Sequence, residues 1–562
     1  IEKNVLASSL VESPRLTGAH AGWRVGRRAR ASRFPPPHAM DRLDVATALA
    51  IRERLGARDL ARSSAVCREF NALANDDTLW RGLSSRETHA LVDADELPAP
   101  SGSGDDASRA KRLYLCNRGW VDGEVHRDGS CFTRDEPFVE AAFAQPSDGA
   151  SPSPEATPGS PRSRSDGCAN ANARAMRRRF ALRAVHATGA VLDRPDETER
   201  ASGEETKSVA SGERRFRRRA TCATFLDPRD PDVAVSGFAD GTLRASCVAL
   251  GKRRVSLAFA QRCGGRARAL AALEGAFEME GEDARALVVS VDELSRSSAG
   301  ARGVLLTARV PSALPRASDD DADEDGVGVG DHAFGTRTVG AVPPLPVSFG
   351  GWCATRDAST CLRFEDETRR LFAGTAGGSV EAFDLGSGQP RCVASFVGQC
   401  ACPVGDVATC GPGRGLVVAT FAHESRGTGH ARGCLAFDVR GGGRVAAVDP
   451  PRRYGTLGRA GSSPGPGSLF QSGLTTEPAC ALHADANKVV LGSPDGFAHV
   501  VDPRTWRETC CFAIAGGERG ELLPAGSVSL LRARGERVAA QIDTPDLFSG
   551  RLVTLRVGAS LW

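Results

Sequence analysis

Residues 370–388 read RLFAGTAGGSVEAFDLGSG. An apolar run, Leu371-Phe372-Ala373, steps through Gly374 to the pair Gly377-Gly378. A second run follows, with apolar residues through Val380, Ala382 and Phe383, and it closes on Asp384. Gly-Gly or Asp-Gly between two such runs is a strong hairpin signal, because the tight turn needs positive φ and glycine reaches it without steric cost. The same order recurs in residues 233–251, VAVSGFADGTLRASCVALG, with Gly241 at the turn. It recurs again in residues 489–506, VVLGSPDGFAHVVDPRTW, with Gly496 at the turn and Asp502 at the close. A weaker copy spans residues 416–441 and passes through CLAFD, ending at Asp438.

A strand–turn–strand–Asp unit repeated along one chain predicts a ring or stack of equivalent sheets. Further candidate units are residues 180–192, 267–310 and 527–557, which with the four copies makes about seven. Seven lies within the usual range of a propeller. A β-sandwich is the competing fold, but a sandwich has no reason to repeat one unit across its length. Residues 111–125, KRLYLCNRGWVDGEV, are expected to supply a strand that closes the ring with the C-terminal strands. The units resemble WD repeats, with Phe383-Asp384, Phe437-Asp438 and Val501-Asp502 where that family has Trp-Asp. The literal Trp-Asp and the preceding Gly-His pair are missing from these copies. The resemblance implies a mainly β chain: a WD40-like β-propeller of about seven blades.

Upstream, residues 43–83 read LDVATALAIRERLGARDLARSSAVCREFNALANDDTLWRGL. Val45, Ala48, Leu49 and Leu55 fall near one face of a 3.6-residue repeat. Gly56 is expected to stop that helix, since glycine takes the left-handed conformation readily. Asp59 suits the first turn of a second helix, where a carboxylate meets free amides. Leu60, Cys67, Phe70 and Leu73 continue an apolar stripe, and Asp76-Asp77 open a third helix holding Leu79, Trp80 and Leu83. Three helices this short do not bury all these groups among themselves, so some cover a partner or the rest of the chain.

This stretch resembles the F-box, the helical module that joins a substrate receptor to a Skp–cullin ubiquitin ligase. The resemblance rests on Asp59-Leu60, on Val66-Cys67-Arg68-Glu69-Phe70 and on Leu79-Trp80; the family's usual Leu-Pro opening is Leu43-Asp44 here. It implies that Leu49, Leu55, Leu60, Val66, Cys67, Phe70 and Trp80 form the module's core and its adaptor surface. Implied partners are a Skp-type adaptor, a cullin and a target protein carrying a degron. The implied activity is recognition of substrates for ubiquitination, as a non-catalytic subunit. A WD-repeat interaction scaffold in a non-ligase complex is the alternative.

The rest of the chain narrows these classes. Net charge is +3 over 562 residues, with 25% charged residues, so bulk electrostatics do not call for nucleic acid. Arginine dominates: the only lysines are Lys3, Lys111, Lys207, Lys252 and Lys488. The 17 cysteines are scattered without a CxxC pair, and no histidine stands at ligand spacing beside the clusters Cys400/Cys402/Cys410 or Cys510-Cys511. They read as small buried residues in a reducing compartment, cytoplasm or nucleus, with no metal or other cofactor. No phosphate loop and no fixed-spacing acid–base pair is present. No run of about twenty apolar residues suggests a membrane span. Residues 1–39 precede the first methionine, Met40, and are expected to be a disordered or non-native extension. Residues 40–90 form the F-box, 91–110 a linker and 111–562 the propeller. Low-complexity insertions are expected at 146–174, 193–219, 318–330 and 454–478.

Overall fold

The computed structural model describes residues 45–87, 90–97, 108–134 and 138–143, and between 182 and 558 the strands given below with their adjoining turns. Residues 1–39 and nearly all of the four predicted insertions lie outside the described residues. The chain forms two compact units, Ile1–Arg54 and Leu55–Trp562.

Helix α1 (Val45–Arg52) belongs to the first unit. The second opens with α2 (Ala57–Ser64), α3 (Arg68–Ala74), α4 (Asp77–Glu87), a 3-10 turn at Ala94–Glu96, and α5 (Arg109–Asp122). The predicted three-helix module is therefore four helices, because the stripe from Leu60 to Ala74 breaks at Ala65–Cys67. Ser63 and Ser64 hydroxyls bond back to the carbonyls of Leu60 and Ala61, and Cys67 starts a new helix as its N-cap. Gly56 does not stop α1 in the left-handed region. It has φ −76°, ψ 167° and is the N-cap of α2.

The predicted closing strand at residues 111–125 is also corrected. Residues 109–122 are helical, capped by Ser108 at one end and by Gly123 at φ 71° at the other. The strand that closes the ring is the next one, β1 (Val125–Arg134).

The sheets follow in chain order. The first is β2–β4 (Phe138–Phe143, Leu182–His186, Val191–Asp193). Next come β5–β8 (Ala220–Phe225, Val233–Phe238, Thr242–Val248, Val255–Arg262) and β9–β12 (Ala267–Leu273, Ala284–Asp292, Gly303–Pro311, Ser348–Ala354). Then come β13–β16 (Ser359–Glu365, Arg370–Thr375, Ser379–Asp384, Arg391–Val397) and β17–β20 (Val404–Thr409, Leu416–Phe421, Cys434–Asp438, Gly443–Val448). Last are β21–β24 (Leu482–Ala484, Val489–Gly492, Phe497–Asp502, Arg507–Ala513) and β25–β27 (Ser527–Arg534, Arg537–Asp543, Gly550–Val557).

All strands pair antiparallel with their neighbours, and β1 adds to the outer edge of β27. Successive sheets touch through their first strands: β2 on β5, then β9, β13, β17, β21, β25, and β25 back on β2. That closed circuit is a β-propeller. Among the described residues six blades have four strands, and the remaining position in the ring, β2–β4, has three. The sequence expectation of about seven thus meets six complete blades.

The core is distributed rather than central. One apolar cluster lies between each pair of adjacent sheets, as where Phe372, Val380 and Phe396 of one blade meet Val404, Val417 and Phe437 of the next. The predicted turn glycines behave as expected, with φ of 77° at Gly241, 82° at Gly378 and 84° at Gly496. The closing aspartates bond the next turn: Asp438 Oδ1 accepts from the Arg440 amide and Asp502 Oδ1 from the Arg504 amide, each at 2.8 Å. Asp384 ends β15 at the matching position.

Candidate functional site

The helical module after α1 is organised around Trp80. Trp80, Leu60 and Leu83 are fully buried. The indole Nε1 donates to the Ala74 carbonyl at 2.7 Å, which satisfies one of the carbonyls left open at the end of α3. Tyr114 of α5 lies 5.4 Å from the indole, ring centroid to centroid, and Lys111 sits over it at 5.4 Å. Lys111 Nζ also donates to Asn75 Oδ1 at 2.9 Å, and the Tyr114 hydroxyl donates to Glu87 at 2.6 Å. Asp77, at the start of α4, accepts from the Ala110 amide. Helix α5 is thus the surface on which α4 is laid.

The other side of α5 enters the propeller. Trp120 is fully buried between β21–β24 and β25–β27; its Nε1 donates to the Gly535 carbonyl at 2.9 Å and its ring meets Phe512 edge-on at 6.1 Å. Gly119 lies against the backbone of Gly558, and an added Cβ would come within 2.6 Å of it. Asn117 Oδ1 accepts from the amides of both Leu91 and Val92. Leu91, Val92 and Leu97 are buried in the same apolar cluster, so residues 91–97 are packed structure instead of a spacer.

Lys488 lies fully buried beneath this junction. Its Nζ donates to Asp485 at 2.5 Å and to the Leu91 carbonyl at 3.0 Å, stands 3.8 Å from Glu96, and faces the Trp120 ring at 5.2 Å. Burial by itself would lower the Lys488 pKa, but Asp485 and Glu96 outweigh it and hold the group above its ordinary range. Burial alone would raise Asp485; Lys488 and His483 keep it well below the usual carboxylate value. Glu96 is raised by burial despite Lys488, so the tight ion pair is Lys488–Asp485.

Residues 47–86 match the F-box-like family model. No curated protein matches the chain. The F-box-like domain starts within α1 and ends within α4. Of the seven residues singled out for it, Leu60 and Trp80 are core, Leu49, Leu55 and Phe70 are half-buried, and Val66 and Cys67 are exposed. Val66 is 67% exposed at the bend between α2 and α3. Cys67 beside it caps α3, its Sγ accepting from the Phe70 amide. Arg62 and Asp59 pair at 3.5 Å, both well exposed.

The propeller contributes a second set of repeated features. The first strand of six sheets carries a β-bulge near its start, at Val139, Thr221, Arg268, Thr360, Gly405 and Ser529. A bulge re-aims the side chain it inserts. Thr360 Oγ1 donates to the Val404 carbonyl of the next blade at 2.6 Å, and Thr221 Oγ1 does the same to Ala267 at 2.6 Å. Where β2 meets β25, Arg532 forks onto both Glu140 oxygens at 2.9 Å.

One cluster in the structure was invisible in the sequence. His499, Glu508 and Cys511 have ligand atoms all within 4.8 Å of one another, on β23 and β24. Their spacing along the chain follows no ligand motif, and only strand pairing brings them together. The brace residues Tyr114, Asn117 and Trp120 were missed for a different reason. Ala110, Tyr114, Asn117 and Val121 fall at helical spacing, a signal set aside when residues 111–125 are read as a ring-closing strand.

Proposed function

We propose that this chain is the substrate-recognition subunit of a Skp–cullin–F-box ubiquitin ligase. The observation that carries the reading is an F-box-like domain whose last helix, α4, is laid on α5, which is itself wedged between two propeller blades. In this reading the α2–α3 bend, with Val66, Cys67 and Phe70, meets a Skp-type adaptor, as does Leu55 ahead of α2. Leu49 on α1 is a separate adaptor contact. The adaptor brings a cullin, and the propeller, built of WD-type repeats, holds the target protein. The chain supplies no catalytic group. Its contribution is to hold target lysines near the activated ubiquitin, which raises the rate by positioning. The brace matters here because a loose joint would spread the target over many orientations. Cytoplasm or nucleus is the proposed place of action, where such complexes and reduced cysteines coexist.

The test is co-purification of the full chain with a Skp-type adaptor and cullin. Val66→Asp places a charge on the exposed apolar bend without touching the Trp80 core. It is expected to cost about 2 kcal/mol or more of adaptor binding, the scale of an anchor residue. Arg62→Ala, which breaks only an exposed ion pair, is expected to cost about 0–1 kcal/mol. Failure of the wild-type chain to capture any adaptor would overturn the ligase reading. Stable recovery of a different complex in its place would favour an interaction scaffold.

A further inference from the structure

We infer that His499, Glu508 and Cys511 form a binding site for a zinc-class divalent cation on the outer strands of the β21–β24 blade. The site is created by a register fault. His499 on β23 pairs directly with Cys511 on β24, so the two side chains leave the sheet on the same face. Glu508 lies three residues from Cys511 along β24. In a regular strand an odd separation would put it on the opposite face. The pairing skips Thr509: Val500 faces Cys510 and Val501 faces Glu508. That bulge flips the phase and returns Glu508 to the face of His499 and Cys511.

The donor set fits the ion. Imidazole nitrogen, thiolate sulfur and carboxylate oxygen are the three ligand types zinc takes, at bonds of about 2.0–2.3 Å. Tetrahedral bonds of that length set ligand atoms roughly 3.5 Å apart. His499 Nδ1 and Glu508 Oε1 are already at 3.4 Å. With every ligand atom inside 4.8 Å of the others, side-chain movement on the order of 1 Å closes the set. The histidine and glutamate side chains are 7% and 15% exposed, a site near the surface but sheltered. Three protein ligands leave one position for water.

The other blades show that the triad is not a by-product of the repeat. The bulge is common to them, at Val393 in β16 and Val445 in β20. The three positions equivalent to His499, Glu508 and Cys511 hold Glu381, Cys392 and Ser395 in the β13–β16 blade. They hold Leu435, Arg444 and Ala447 in the β17–β20 blade. The blade with all three ligand types is one of the two that grip α5. Cys510, next to Cys511, points the other way and donates to the Trp120 carbonyl at 2.8 Å. An ion here would pin β24, the strand against which α5 packs, to β23.

The test uses the purified full chain, stripped with chelator and reloaded with zinc, then with cobalt(II) as a spectroscopic stand-in. Wild type is expected to retain one zinc more per chain than Cys511→Ser or His499→Gln. Its cobalt form should show a thiolate-to-metal absorption that Cys511→Ser lacks. Cys392→Ser, removing an exposed thiol elsewhere, should change neither. If a strand variant fails to fold, Glu508→Gln and the rise in wild-type melting temperature with zinc carry the test. Equal zinc content in wild type and the folded variants, a cobalt form without the thiolate band, or no melting shift with zinc would each overturn the site.

Discussion

Between β13 and β17 one blade is clasped to the next by Thr360 reaching the Val404 carbonyl, with Gly374 leaving room for the Val404 side chain. Between β5 and β9 the same clasp is made by Thr221, Ala267 and Gly237. Among the described residues the brace between the F-box-like domain and the propeller has no such duplicate. Trp120, Gly119, Asn117 and Lys488 each make a contact that occurs once. Repetition shares load: a weakened clasp leaves the other blade interfaces in place. A single-copy joint has nothing to share with. The two regions should therefore answer differently to substitutions of similar size.

The sharpest test of that contrast is Lys488→Ala. It strands Asp485 in the junction without its cation, and breaking one side of a buried pair costs about 3–5 kcal/mol. Chemical denaturation is expected to show that loss, together with faster amide exchange across α5. The pH dependence follows from the pair. Asp485 is depressed in the folded state, so its stabilisation is complete above the unfolded carboxylate pKa of ~3.9 and is lost as pH falls further. Lys488 is raised, so its contribution is complete below ~10.4 and is lost as pH rises through its folded value. The contribution of the Lys488–Asp485 pair should be flat between those limits, and Lys488→Ala should remove its acid-side fall.

Gly374→Val comes next. A Cβ there would lie 2.5 Å from Val404 Cγ1, and overpacking of this kind costs about 1–3 kcal/mol. Thermal melts should drop while exchange in α5 stays unchanged. If α5 loosens as well, the blade clasps and the brace are not independent and the contrast fails. The smallest effect is expected for Gly442→Ala, about 1 kcal/mol, since the change forces a side chain into φ 70° at an exposed turn where an added Cβ meets open space.

The same contrast governed what the sequence disclosed. The blades were legible because the chain could be compared with itself: Gly241, Gly378 and Gly496 stand at one position of one unit, and all three take the left-handed conformation. The F-box-like stretch was legible in its extent, but not in which side faces out. The sequence sets Leu60 and Trp80 beside Val66 and Cys67 as core or adaptor surface without dividing them; the first two are core, and α5, expected as a strand, is the helix that covers Trp80. Asp122-Gly123 signals a left-handed glycine, which a hairpin and a helix C-cap both use. Gly56 departs from its expected place for a related reason: glycine is tolerated at an N-cap as well as after a helix, and the extended geometry here selects the first. The His499 cluster left no trace, since one skipped residue in strand pairing decides it.

The β1 strand, which completes the blade of β25–β27, sets a clock on biosynthesis. Val125 pairs with Val557, so the first of the described strands to leave the ribosome waits for the last of them. At roughly 5–20 residues per second, that interval is on the order of 20–90 s. For its duration β1 has no hydrogen-bonding neighbour, and α5 has neither Phe512 nor Gly535 to lean on. An unpaired strand edge is a template for aggregation. Nascent chains of this protein are thus expected to depend on a holding chaperone until the C-terminal strands emerge.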